Sequence, residues 1–242
     1  MAGFILQQRP ASFVNIVVQR SSGHQVARQT CGLAPGRVRS QLVLEAPHGL
    51  QVALQPFDDR AIGDFLENMR FRQIDVLGYH TGSLIATELA VTRPKQVRRV
   101  VLVSVPVLTE AERDSMRRVP PSIAAASDGA HLAGEWQRMA DTYGPGAPLE
   151  LVTDAFVEKL RNGLHPAWLA HAAMQYPVRE RLSLITQQVM LIRPRDDLWD
   201  ATLRAREVLP KARCIDVSEQ GAALFEAAPE FVADSLRDFL RG

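Results

Sequence analysis

A histidine stands between two glycines in segment 78–82, Gly-Tyr-His-Thr-Gly. The segment follows a strand-like run at 74–77 and precedes a helical pattern over 83–91. A Gly-x-Ser-x-Gly sequence in that place forms a nucleophile elbow, a strained strand-to-helix turn that presents one side chain to a pocket. The glycines are needed because backbone packs closely against such a turn. The sequence therefore predicts an elbow that presents the imidazole of His80 instead of a hydroxyl.

The imidazole of His80 accepts or donates a proton near neutral pH, and imidazole also binds metal ions. A carboxylate beside the ring would orient it and favour its protonated form. The free ring nitrogen could then take a proton from water or from a substrate. Such a pair supports general-base hydrolysis, elimination or isomerisation. A covalent acyl-histidine is the less favoured route, because acyl-imidazoles hydrolyse easily.

The composition is typical of a globular protein and argues against several functional classes. The 242 residues carry a formal net charge of +1, which offers no bulk field for nucleic acid or an anionic membrane. No run approaches the length of a membrane span, and residues 1–10 lack the basic leader of a signal peptide. Cys31 and Cys214 lie far apart in the chain. We interpret them as reduced thiols in a cytoplasmic protein.

The motifs of common cofactor sites are missing from the sequence. It has no His-x-His, no His-Glu-x-x-His and no closely spaced cysteine pair, so no metal site is expected. It has no Gly-x-Gly-x-x-Gly and no P-loop, so no nucleotide cofactor is expected. We therefore expect a cofactor-free protein whose partner is a small-molecule substrate or ligand.

Short β-rich runs alternate with amphipathic helical patterns along most of the chain. This alternation predicts an α/β fold, with a mostly parallel sheet of about six strands and helices on both faces. The predicted strands are Phe13–Val18, Gln41–Ala46, Ile74–Leu77, Val100–Val105, Val189–Arg193 and Arg213–Val217. The predicted core helices are Asp58–Phe71, Thr81–Val91, Leu198–Leu209 and Pro229–Leu240.

The alternation stops between about residues 108 and 184, where helical segments follow one another between prolines and glycines. We expect residues 1–107 and 185–242 to form the core and 108–184 to be an inserted helical lid. The lid would cover the carboxyl end of the sheet, where such folds bind ligands. A side appendage with no role at the site is the alternative. Trp136 and Met139 suit either an apolar pocket roof or the interior of the insertion itself.

Five pieces of the chain resemble the α/β-hydrolase fold superfamily. They are the strand and Pro-Gly-rich turn at 41–49, the elbow at 78–82, the strand at 98–103, the strand and acid-bearing loop at 189–199, and the loop and helix at 221–229. No single piece is specific, but their order and spacing agree from about residue 13 to the end of the sequence. The resemblance implies an α/β-hydrolase-like fold with a small pocket beneath the lid.

The resemblance also implies where the reactive groups stand, and there the chain departs from the family. The nucleophile maps to His80, the acid to Asp197 with Asp196 as the near alternative, and the histidine to Ala222. A Ser-His-Asp mechanism needs a hydroxyl and an adjacent base, and both are missing. We therefore expect a His80–Asp197 pair, in direct contact or through one water, in place of the triad.

The resemblance further implies donors for developing negative charge. The backbone N–H of Thr81, directly after the elbow centre, would be one oxyanion donor. The family's second donor lies near a His-Gly pair after the first strand, where this chain has Gln19 and Arg20. The family's opening hairpin has no room before Phe13. Cover for the sheet edge near 41–46 would then come from residues 3–8 or from a second subunit in a homodimer.

Other side chains are candidates for contact with a substrate. Tyr79 flanks the elbow centre, and Ser104, at the end of the next strand, is either a substitute hydroxyl or a plain polar contact. Trp199 packs the acid-bearing loop or lines the pocket. Arg193 and Arg195 either bind a substrate carboxylate or belong to a solvated loop with one internal ion pair.

The sequence thus supports two functions. The first is a hydrolase-like enzyme that acts on a small organic molecule without a cofactor, through His80 and Asp197. The second is a catalytically silent α/β-hydrolase-fold protein that binds a ligand or a partner chain, with the histidine kept for packing. A strained turn that exposes a titratable side chain favours the enzyme, because such a turn is costly to keep without use.

Overall fold

The computed structural model of the chain describes residues 15–20, 60–118, 125–143, 148–161, 173–219, 221 and 224–241. The strands in these ranges are β1 (Asn15–Arg20), β2 (Ile74–Tyr79), β3 (Val97–Val103), β4 (Gln188–Pro194) and β5 (Arg213–Val217). The helices there are α1 (Arg60–Asn68), α2 (Thr81–Thr92), α3 (Glu110–Arg117), α4 (Ala130–Tyr143), α5 (Leu149–Arg161), α6 (Val178–Leu182), α7 (Trp199–Val208), α8 (Leu224–Ala227) and α9 (Pro229–Arg241). None of the helices in these ranges combines the length and the apolar composition that crossing a membrane requires.

The described strands form one sheet in the order β1-β2-β3-β4-β5. β2 to β5 run parallel to one another, whereas β1 pairs antiparallel with β2. The predicted α/β class with a mostly parallel sheet is therefore confirmed. The predicted strand Gln41–Ala46 lies outside the described residues. Residues 3–8, which were expected to cover the sheet edge near that strand, lie outside them as well.

Both faces of the central parallel strands are buried under helices. Side chains alternate between the two faces of a strand, so neighbouring residues enter different layers of the core. One buried cluster joins Ile62 of α1 and Leu84 of α2 to Leu102 of β3. The other joins Val103 of β3 to Leu236 of α9. The carboxyl ends of the strands are thus held between two packed layers.

Helix α2 begins directly after His80 and is buried along most of its length. Its buried hydroxyls bond to carbonyls one turn back. Ser83 Oγ donates to the His80 carbonyl at 2.5 Å, and Thr87 Oγ1 donates to the Ser83 carbonyl at 2.8 Å. These bonds matter because burial of a hydroxyl without a hydrogen-bond partner would destabilise the fold. The chain leaves the helix at Thr92, two residues before Pro94, as the sequence predicts.

Helices α3, α4 and α5 stand in chain order between β3 and β4, where the sequence predicts the helical insertion. α4 and α5 share a small buried cluster of Met139, Val152 and Ala155, with Trp136 and Phe156 packed edge-to-face at its border. Met139 is therefore buried between α4 and α5, and the partly buried Trp136 packs at the edge of the same cluster. That the insertion covers the site stays a prediction.

The last part of the predicted insertion packs into the main core. Tyr176, Val178 and Leu182 belong to the same buried cluster as α2. The Tyr176 hydroxyl donates to Glu88 of α2 at 2.7 Å, and Arg181 donates two hydrogen bonds to the same carboxylate, at 2.6 and 2.8 Å. Burial, followed by the bond to Glu88, raises the pKa of Tyr176, which keeps its hydroxyl a donor. These hydrogen bonds connect α2 to the segment that precedes β4.

Candidate functional site

Three polar side chains meet where three neighbouring parallel strands end. His80 directly follows β2, Ser104 directly follows β3, and Asp196 comes two residues after β4. The backbone hydrogen bonds between the strands continue to His80 and Ser104. The His80 N–H donates to the Val103 carbonyl at 3.0 Å, and the Ser104 N–H donates to the Ile192 carbonyl at 3.2 Å. This edge of an α/β sheet is the usual place for a ligand.

The backbone of His80 has a conformation that few residues other than glycine adopt, with φ 52° and ψ −121°. Holding a side chain in such a region costs about 1–3 kcal/mol, and strain of this kind clusters at functional sites. Gly78 allows the turn to close. A Cβ at this position would collide with the Gly82 carbonyl oxygen and lie 2.7 Å from the Ser83 Cα.

His80 and Asp196 form a partly buried pair, with His80 Nε2 3.1 Å from Asp196 Oδ2. The Asp196 side chain is 1% exposed and the His80 side chain 17%. Asp196 Oδ2 also accepts a hydrogen bond from Ser104 Oγ at 2.5 Å, and Oδ1 accepts one from the Leu198 N–H at 3.0 Å. An ionised carboxylate only accepts, so we assign the proton of the neutral imidazole to Nε2. The lone pair then lies on Nδ1, which can take up a proton.

The direct partner of His80 is thus Asp196, the near alternative of the sequence analysis, and the structure does not pair His80 directly with Asp197. Asp197 is exposed, although one of its carboxylate oxygens lies within 4.8 Å of the donor atoms of the pair. The cause is the turn after β4, where the Asp196 N–H donates to the Pro194 carbonyl at 2.8 Å and the Trp199 N–H donates to the Asp196 carbonyl at 3.1 Å. This turn buries one aspartate and leaves its neighbour in solvent.

Tyr79 and Thr81 flank the imidazole in different ways. The buried Tyr79 ring lies edge-on to the His80 ring, with 4.2 Å between centroids, and edge-on to the Phe225 ring at 5.2 Å. It supports the imidazole, and its contact with a substrate stays a prediction. Thr81 is the first residue of α2, so its N–H has no acceptor within the helix. This N–H is the one that the sequence predicts as a donor to an oxyanion.

Gln19 does not join these residues, which corrects the prediction that it supplies an oxyanion or substrate contact. Because β1 runs antiparallel to β2, Asn15 pairs with Tyr79 beside the site, whereas Gln19 pairs with Asp75 near the other end of β2. The prediction placed the end of the first strand at the carboxyl edge of the sheet, which only a parallel β1 would allow. Ala222, where the resemblance places the missing histidine, lies outside the described residues.

No protein-family model matches the chain, and no curated protein matches it in sequence. Solved structures do match it. MGS-M2, an α/β hydrolase enzyme from a Medee basin deep-sea metagenome library, is 15% identical with a TM-score of 0.53, over 78% of this chain and 74% of its own. E-2-(acetamidomethylene)succinate hydrolase is 17% identical with a TM-score of 0.57, over 76% and 72%. An esterase from Rhodococcus sp. is 17% identical with a TM-score of 0.59, over 75% and 70%.

The chain has the α/β-hydrolase fold. At these identities the likeness concerns the fold alone, and the chemistry must be argued from the side chains of this protein. Two of them, His80 and Ser104, are non-glycine residues with positive φ at strand ends, and a third such residue in the described ranges, Arg70, lies after α1. In the described part of the sheet, the two strained positions therefore lie at the edge where Asp196 is also found.

Arg193, near the end of β4, and Arg195, in the loop that follows, differ in burial. Arg193 is 7% exposed, donates to both carboxylate oxygens of Asp216 at 2.9 and 2.5 Å, and stacks on the Trp199 indole at 3.8 Å. Arg195 lies over the same indole at 5.1 Å. Trp199 therefore packs against both arginines, and the ion pair joins Arg193 to the neighbouring strand and not to an aspartate of the loop itself. Sequence reasoning missed Asp216, although it is the register partner of Arg193 on the adjacent strand and carries the opposite charge.

Replacement of Asp216 with asparagine should lower stability in a pH-dependent way. The hydrogen bonds from Arg193 hold the pKa of the Asp216 carboxyl below its ordinary value. A depressed pKa in the folded state stabilises the fold above the unfolded pKa of about 3.9, and the gain is lost as pH falls through the folded pKa. The melting temperature of Asp216→Asn should therefore lie below that of the wild type at pH 7 and approach it below about pH 4. A difference that grows towards acid would contradict this sign.

His80, Asp196 and Asp197 also form a group whose donor atoms are close enough for a metal ion. Sequence spacing gives no hint of the group, because the fold brings together residues that are 116 positions apart. Imidazole and carboxylate are suitable ligands for zinc. In the structure, however, His80 Nε2 and Asp196 Oδ2 bond directly to each other without an ion between them. Treatment with a chelator tests whether a metal ion contributes to activity.

Proposed function

We propose that the protein is a cofactor-free hydrolase that cleaves a small organic molecule with an activated carbonyl group, such as a carboxylic ester. His80 would act as the general base and Asp196 would orient it. One observation supports this assignment above the others, the 3.1 Å contact between His80 Nε2 and a nearly fully buried Asp196 carboxylate. It leaves Nδ1 as the proton acceptor at the ligand-binding edge of an α/β sheet.

The proposed reaction follows from the positions of the protons. His80 Nδ1 removes a proton from a water molecule, and the water oxygen forms a bond to the carbonyl carbon. Asp196 balances the positive charge on the ring, and the Thr81 N–H donates to the oxyanion of the tetrahedral intermediate. When the intermediate collapses, the carbon–oxygen bond to the alkoxide breaks and the alkoxide takes the proton from Nδ1. The carboxylic acid and the alcohol are released, and no acyl-enzyme forms.

Replacement of Asp196 with asparagine tests the pair directly. The amide can donate to His80 Nε2 through its NH₂ group, which favours the tautomer with the proton on Nδ1 and removes the base. We expect kcat to fall by about 10²-fold or more, because loss of the group that fixes a histidine tautomer has effects of this size. Hydrolysis of 4-nitrophenyl acetate and a panel of esters and lactones provides the measurement, with Asp197→Asn as the matched control.

The controls separate the proposal from two competitors. Asp197→Asn should keep most of the activity, and treatment with EDTA should leave kcat unchanged. Activity that EDTA removes and zinc restores would replace the proposal with a metal centre at His80, Asp196 and Asp197. A wild-type protein that turns over no substrate of the panel would instead support the catalytically silent ligand-binding function.

A further inference from the structure

We propose that Ser104 is the positioning residue of the pair, which holds the Asp196 carboxylate so that the His80 ring keeps its proton on Nε2. The placement of Ser104 is a property of the structure, and its effect on turnover rests on the proposed function. The serine would act through Asp196 and would not touch the substrate. It therefore differs from the substitute hydroxyl or substrate contact that the sequence suggests.

Burial excludes Ser104 as a nucleophile or substrate ligand. The residue is 0% exposed, so a substrate cannot reach its hydroxyl without a rearrangement of the strand ends. Its Oγ donates at 2.5 Å to Asp196 Oδ2, the same oxygen that lies 3.1 Å from His80 Nε2. A serine nucleophile would need the imidazole as its base, whereas Ser104 Oγ and His80 Nε2 both bond to the Asp196 carboxylate.

The carboxylate depends on this hydroxyl because no arginine or lysine is paired with Asp196 in the described part of the chain. Arg193, three residues earlier in the sequence, is paired with Asp216. The charge of Asp196 is instead met by three donors, namely Ser104 Oγ, the Leu198 N–H and His80 Nε2. Hydrogen bonds to an ionised group are stronger than those between neutral groups. Loss of one donor should leave Oδ2 with the imidazole alone and allow the carboxylate to rotate.

The backbone conformation of Ser104 also places its side chain near Asp196. Its φ is 54°, a value that disfavours most side chains, and its N–H is fixed by the Ile192 carbonyl at 3.2 Å. The position directly after β3 lies between the end of β2, which carries His80, and the end of β4, which leads to Asp196. A side chain of serine length is therefore placed where it can reach the carboxylate from the middle strand.

Ser104→Ala removes the hydroxyl and retains the Cβ. Thr202→Val is the matched control, since Thr202 has a buried hydroxyl that accepts from the Val105 N–H at 2.9 Å and forms no hydrogen bond with Asp196 among the described residues. Two measurements apply to each variant. The first is the pair of ring ¹⁵N chemical shifts of His80 in ¹⁵N-histidine-labelled protein, assigned with His80→Gln. The second is kcat and KM for 4-nitrophenyl acetate.

We expect the His80 Nδ1 and Nε2 shifts of Ser104→Ala to move towards each other as the two tautomers mix, with kcat about tenfold lower and KM little changed. Thr202→Val should show wild-type shifts and kcat. Unchanged ring shifts in Ser104→Ala would overturn the inference, whether or not kcat falls. If Ser104→Ala does not fold, Ser104→Cys replaces it, and the weaker thiol donor should move the shifts in the same direction. A wild-type protein without turnover would refute the proposed function, while the ring shifts would still decide the role of Ser104.

Discussion

Replacing His80 with alanine should lower kcat/KM for ester hydrolysis by about 10²–10⁴-fold, the usual contribution of a general base. The substitution removes Nδ1, the proposed proton acceptor. Asp196 keeps Ser104 Oγ and the Leu198 N–H as donors, so it does not become an unpaired buried charge. Alanine also accepts the strained φ of 52° about as poorly as histidine does. Folding should therefore be close to wild type, and kinetics with circular dichroism in parallel provide the measurement.

Three controls sharpen the result at position 80. His80→Ser should be as inactive as His80→Ala, because a serine there would have a carboxylate but no imidazole base beside it. His80→Gln keeps a hydrogen-bond partner for Asp196 without a titratable group, and it should also be inactive. Added imidazole should restore part of the activity of His80→Ala if the space left by the ring is open to solvent. Full turnover in His80→Ala would eliminate this histidine as the base.

Replacing Gly78 with alanine should destabilise the fold by about 3 kcal/mol, the upper end of the usual range for overpacking. The added Cβ would collide with the Gly82 carbonyl and crowd the Ser83 Cα at 2.7 Å. These are main-chain atoms at the start of α2, so no flexible side chain can move aside. For a chain of this size each kcal/mol lowers the melting temperature by roughly 2–4 °C. Thermal and urea unfolding give the measurement.

Gly134→Ala is the matched control for this substitution. Gly134 is an exposed residue within α4, and a Cβ there would meet nothing within 4 Å. Alanine in place of glycine inside a helix should stabilise by about 0.5–1 kcal/mol. The two substitutions should thus change stability in opposite directions. If Gly78→Ala were as stable as the wild type, the close approach of β2 and α2 at this turn would be contradicted.

The local sequence was sufficient to place the elements of the fold and the turn at His80. Strand-length apolar runs alternate with helical patterns, and the strands at 74–79, 97–103, 188–194 and 213–217 fall where these runs predict them. Such patterns are readable because burial on both faces of a parallel sheet leaves few polar positions in a strand. The position of His80 at a strand end also follows from chain order alone.

The contacts around His80 could not be predicted from local sequence patterns. Gln19 was misplaced because strand direction depends on long-range pairing, and β1 is antiparallel to β2. Asp196 and Asp197 are adjacent and chemically identical, so only the turn after β4 decides which of them is buried. The contact between Ser104 and Asp196 joins residues 92 positions apart.

The amino-acid sequence was therefore enough to predict an α/β fold and a histidine at the end of a strand. Both depend on patterns that repeat within a few residues, namely hydrophobic periodicity and the spacing of glycines. That Asp196 is the partner of His80, and that Ser104 donates to the same carboxylate, became known from the folded structure. The physical reason is that hydrogen bonds act over about 3 Å, and only the packing of β2, β3 and β4 brings these three side chains within that distance.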